Sequence, residues 1–149
     1  MRAEEFLSGA YRLDQQIQSK VDQLQRIRAC ASGSGIQYRD AKVKASGPEN
    51  KVENTVVRIL EEERVINEEI DRLVEIKREI REVIARVEDV DYRLVLEERN
   101  LLFKTWWEIS RDMGMGIRWT QMKHREAVKA VQEVLDRMEW EEGGLTYVL

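Results

Sequence analysis

The chain has 149 residues, 36% of them charged, with only two Phe, one Pro and eight Gly. That length carries one ordinary domain, or a small domain joined to an elongated segment, and the composition excludes a compact β-sandwich or barrel in favour of long helices with solvated flanks. The net charge of −4 is unevenly spread: residues 1–48 carry +3, 49–98 carry −7, 99–138 carry +3 and 139–149 carry −3. Overall acidity therefore does not exclude a nucleic-acid partner.

Taken in chain order, Leu7, Ala10, Leu13, Ile17, Val21, Leu24 and Ile27 recur at spacings of three and four and predict a first helix over about 3–29. Its start, Met1-Arg2-Ala3-Glu4-Glu5, lacks the basic opening and apolar core of a signal peptide. Residues 30–47 then lose the periodicity and gather Gly, Ser and the basic Arg39, Lys42 and Lys44, which reads as a flexible loop. Cys30 is the sole cysteine, so no internal disulfide forms, and a reducing cytoplasmic setting is expected.

A second helix is expected over 48–88, with Ser46 as N-cap, Glu49 as its capping-box partner and Pro48 in the first turn. Val52, Val56, Ile59, Glu63, Ile66, Ile70, Leu73, Lys77, Ile80, Ile84 and Val87 follow at alternating spacings of four and three, a heptad repeat interrupted at Glu63 and Lys77. Leu60, Val74, Ile76 and Val83 widen the seam, so this helix should touch more than one neighbour. Folding back on the first helix makes a coiled-coil hairpin over 1–90. The second helix, at roughly 60 Å, outreaches the first and leaves seam for a homodimer.

Residues 91–138 predict a small bundle. Tyr92 to Phe103 reads as a short apolar-rich helix, Thr105 and Glu108 as a capping box for a helix over Trp106–Met113, Gly114 as a left-handed C-cap, and Ile117–Met138 as the last helix. The acidic tail 139–149, with Gly143-Gly144, reads as flexible. The fold class is thus all-α, a long antiparallel coiled-coil hairpin followed by a helix-turn-helix.

A helix-turn-helix needs a short helix, a tight turn and a second helix with one buried face and one presented to the major groove. At about 100° per residue, Thr120, His124, Ala127, Val131, Val134 and Met138 share one face of the last helix. Arg118, Met122, Arg125 and Lys129, with Gln121 at the edge, share the opposite one. A basic stripe there suits phosphates and base edges, although many such stripes are simply solvated. Thr120 and Lys123 stand where helix-turn-helix motifs usually place apolar residues.

Chemistry is not written elsewhere. One His and one Cys offer no metal-ligand cluster, the Glu61-Glu62-Glu63 and Glu68-Glu69 carboxylates sit among Arg64, Arg72, Arg78 and Arg81 at ion-pairing spacing, and no run is apolar and long enough for a membrane span. His124 on the inner face reads as a packed, hydrogen-bonded histidine, and Trp106 as core. No enzyme activity, cofactor or metal is expected.

Several motifs carry a family resemblance. Tyr11-Arg12-Leu13-Asp14 with Ile17, Lys20 and Leu24, then Val52-Glu53 and "EEIDRLVEIKREI", then Lys104-Thr105-Trp106, Glu108-Ile109-Ser110, Met113-Gly114 and His124 with Ala127 resemble phage and prophage proteins of the ArpU/RinA type. These are late-gene transcriptional regulators whose C-terminus is similar to the helix-turn-helix of sigma-factor region 4. Gly116 departs from the Ser or Thr cap of that pattern, and Lys123 from its apolar residue. The resemblance implies binding to double-stranded DNA in transcription control, with the coiled coil for dimerisation or for docking a partner such as RNA polymerase. Two rival readings are a small-terminase-like packaging adaptor, which combines the same two elements, and a coiled-coil interaction module that does not bind DNA.

Overall fold

The computed structural model describes residues 1–32 and 48–148, and every regular element among them is helical. The elements are α1 (Ala3–Ser32), α2 (Pro48–Ala85), α3 (Val90–Leu96), a π-helical turn (Glu97–Leu101), α4 (Trp106–Met113) and α5 (Ile117–Val148). No described helix is long and apolar enough to cross a membrane. Residues 30–32, expected in the loop, are instead the last turn of α1, which runs past its expected end; Ser46 and the rest of the expected loop, 33–47, lie outside the described residues. Pro48 opens α2, where its fixed φ suits the first helical position.

Two compact units divide the chain, one the described part of Leu13–Arg72, the other Met1–Arg12 with the chain from Leu73 onward. Both boundaries between the units fall within helices, one in α1 and one in α2.

In the first unit, α1 buries Leu13, Ile17 and Leu24 and half-buries Val21 and Ile27, the expected stripe. Lys20 pairs with Glu69 and Arg28 with Glu63. Glu63, one of the two interruptions of the heptad repeat, is thus an ion-pair partner of α1. Ile66 is buried, but Val56 and Ile70, which the heptad placed in the same seam, are exposed. Arg64 bonds Glu61 and Glu68 along the helix surface, where solvent screening leaves such exposed pairs little stabilising effect.

In the second unit the core collects Leu7 and Ala10 of α1, Leu73, Ile80 and Ile84 of α2, Val95 and Leu96 of α3, Ile109 of α4, and Ala127, Val131 and Val134 of α5. A fully buried side chain of Val or Ile size contributes roughly 1.5–3 kcal/mol. The Ala3 N–H, an orphan donor at the start of α1, donates to Gln132 Oε1 of α5 at 2.7 Å.

α2 ends at Ala85, three residues before its expected end. Arg86 and Val87 N–H donate to Val83 and Ile84 carbonyls in a tightened last turn, and Arg93 Nη1 donates to the carbonyls of Val87 and Glu88 at 2.6 and 2.9 Å. Asp89 caps α3, its Oδ1 accepting from Asp91 and Tyr92 N–H at 2.8 and 3.2 Å.

The expected helix over 92–103 does not run through. Leu102 N–H reaches back to Glu97 O over five residues, and Phe103 takes a left-handed φ of 57°. That backbone costs a non-glycine residue about 1–2 kcal/mol. It sets the Phe103 ring edge-on to Tyr11 at 5.5 Å and under the Lys77 ammonium at 4.7 Å. Lys77, the other heptad interruption, therefore has a cation–π partner.

The chain end also differs from expectation. α5 continues past Met138 through Val148, so 139–148 is helical. Gly143 and Gly144 lower helix propensity by about 1 kcal/mol each but do not forbid the conformation.

Candidate nucleic-acid interface

α4 begins where Thr105 Oγ1 accepts from Glu108 N–H at 3.2 Å, as the capping-box spacing predicts. It ends at Gly114, with φ 67° and ψ 26°. Gly114 N–H donates to Arg111 O and Met115 N–H to Ser110 O, the paired bonds of a Schellman motif. Ser110 Oγ also donates to Met115 O. Glycine is required at 114 by its backbone rather than by space, since nothing lies within 4 Å of where its Cβ would be. Gly114→Ala should therefore lower stability by about 1 kcal/mol in denaturant titration. Gly116→Ser, at an ordinary backbone position and the cap of α5, should be neutral or slightly stabilising.

Thr120 is fully buried on the inner face of α5. Its Oγ1 donates to Gly116 O at 2.9 Å, one turn back, so the hydroxyl is satisfied locally and the methyl faces the core. Lys123 is accommodated differently. Its ammonium lies 5.6 Å from the centres of both the Tyr92 and Trp119 rings and 3.7 Å from Glu126, whose carboxylate also accepts from Tyr92 Oη at 3.0 Å. The aliphatic stem supplies the packing that an apolar residue would give.

His124 is packed, as expected. Its Nε2–H donates to Asn100 Oδ1 of the π-helical turn at 3.0 Å, and its ring meets Trp106 edge-on at 5.1 Å. Trp106 is half-buried rather than fully core, with the Arg99 guanidinium over its ring at 4.3 Å. Burial, with some repulsion from Arg99, pushes the His124 pKa down from 6.5 to about 4.

The opposite face of α5 is the candidate surface. Arg118, Met122, Arg125 and Lys129 are exposed and Gln121 is half-buried. Among the described residues, no carboxylate lies within ion-pairing distance of Arg118, Arg125 or Lys129, in contrast to Lys123. The first turn of α5 also contains Arg118 and no acidic residue, so the cation sits at the positive end of the helix dipole. Further along, at the same angular position, stand Glu133 and Asp136, which confine the basic area to the first three or four turns.

Two residues of α4 outside the expected set are also exposed. Trp107 is 58% exposed, and the exposed Arg111 guanidinium lies 5.0 Å over its ring. Position 111 gives no signal in a periodicity reading, because Arg in the last turn of a helix is ordinary dipole compensation. Met115 on the turn and Ile117 at the start of α5 are exposed. No group of three or more potential metal ligands occurs among the described residues.

Comparison with protein-family models, curated proteins and solved structures found no match to this chain.

Proposed function

We propose that the chain is a DNA-binding transcriptional regulator of phage type, in which α4 and α5 act as a helix-turn-helix and α5 enters the major groove. The observation that carries this reading is the row Arg118, Arg125 and Lys129, exposed, without ion pairs among the described residues, and set on the face of α5 opposite its buried side. An Arg at the positive end of a helix dipole costs the free protein about 0.3–1 kcal/mol and gains that back when a phosphate arrives. Arg118, Gln121, Met122, Arg125 and Lys129 would then meet base edges and backbone, and Arg111 would add a phosphate contact from α4. The crossed ion pairs Lys20–Glu69 and Arg28–Glu63 support reading α1 and α2 as an antiparallel coiled-coil hairpin that serves dimerisation.

A second reading has an observation of its own. Trp107, Met115, Ile117 and Met122 expose more apolar surface than phosphate contact uses, which favours docking on a protein such as RNA polymerase. Titration of a fluorescent duplex separates the two. Saturable binding that weakens with salt supports the DNA reading, and a folded protein that leaves the duplex unbound at low salt overturns it.

A further inference from the structure

We infer that a second copy of this chain docks on the exposed face of α2, with the two α2 helices antiparallel. The inference rests on the reading of the α1–α2 pair as the dimerisation element and adds its face, partner and orientation.

The starting observation is the failure of the simple heptad. α1 leaves Val56 and Ile70 exposed, and Leu60 and Val74 of the same helix are 59% and 62% exposed. With Glu63 and Asn67 these residues read 56, 60, 63, 67, 70, 74, alternating steps of four and three. They form a second seam beside the one that α1 covers, four positions apolar and two polar. An apolar row of that period is the pattern of a helix face that meets another helix.

The polar positions choose the orientation. If two α2 helices ran parallel in register, Glu63 would face Glu63, a like-charge layer inside the seam, where a screened surface pair becomes a costly one. Run antiparallel, Leu60 faces Ile70 of the other copy, Glu63 faces Asn67, and the outer positions Val56 and Val74 face each other. Every apolar residue then meets an apolar one. Arg28 occupies Oε1 of Glu63, and the Asn67 amide of the other copy would donate to the second carboxylate oxygen. A buried Asn bonded to a carboxylate fixes the register, because a shift by one heptad would set Asn67 against Ile70 and Glu63 against Val74.

The test uses light scattering on the full chain and a Leu60→Cys/Ile70→Cys variant in a Cys30→Ser background. The expected mass is twice the 17.6 kDa of one chain. After mild oxidation, tryptic mapping should find position 60 joined to position 70 of the other copy; trypsin cuts at Arg64 between them. The two sites are about 15 Å apart along one helix, too far for an internal bridge. Leu60→Asp/Ile70→Asp should be monomeric with unchanged helix content, since both side chains are exposed. A monomeric wild type, or a closed ring of many copies, overturns the dimer. A dimer linked 60 to 60 and 70 to 70 overturns the orientation alone. Duplex affinity, measured separately, shows whether the DNA reading survives either result.

Discussion

Replacing Arg118 and Arg125 together by Glu should weaken duplex binding by about 100-fold or more, because each cation that meets phosphate or guanine contributes roughly 1–3 kcal/mol and the new carboxylates repel the backbone. The protein itself should not lose stability. Neither arginine has an ion pair to lose among the described residues, and Glu at position 118 meets the positive end of the α5 dipole, a gain of about 0.3–1 kcal/mol. A variant that unfolds at higher denaturant yet binds DNA far more weakly separates a functional cation from a structural one. Unchanged affinity would instead favour the protein-docking reading.

The second large effect comes from His124. Its pKa is about 4 in the folded protein against 6.5 in an unstructured chain. Below pH 6.5 the unfolded chain takes up a proton that the folded one refuses until about pH 4. The neutral ring's contribution is therefore complete above pH 6.5 and is lost as pH falls through that window. Between pH 7 and pH 5 the loss should be about 2 kcal/mol. Because the chain has one histidine, wild-type urea titrations at the two pH values report on it directly. Equal stability at pH 7 and pH 5 would mean that the imidazole is solvated and that the contacts to Asn100 and Trp106 do not persist. The His124→Gln variant should show no comparable loss in that window.

How much of this was legible in the sequence depends on the range of the interaction. Thr105, Glu108 and Gly114 are local signals, each deciding a cap within four residues, and the structure places α4 at Trp106–Met113 as they predict. The α1 stripe was equally plain, since a period alone sets which face is buried. Thr120 and Lys123 read as misfits because periodicity sorts residues only as apolar or polar. The Gly116 carbonyl and the Tyr92 and Trp119 rings make both acceptable. Phe103 carries no local mark of a left-handed backbone; its conformation depends on Tyr11 and Lys77, which are remote in sequence. The heptad of α2 was visible, but a continuous repeat does not say that one partner helix covers only one edge of it. For the same reason the pairing of Arg111 with Trp107 has no mark in the sequence, since it is defined by contact across one turn of α4 rather than by a pattern.

The central claim is that α5 presents cations to a duplex. It is tested most directly by measuring the affinity of the full chain for double-stranded DNA over a series of salt concentrations. With Arg111, Arg118, Arg125 and Lys129 meeting phosphates, log K should fall against log salt with a slope of about −3 to −4, and the slope should shrink by about one for each of these residues changed to Ala. A slope near zero, or a slope unaffected by those substitutions, would contradict it.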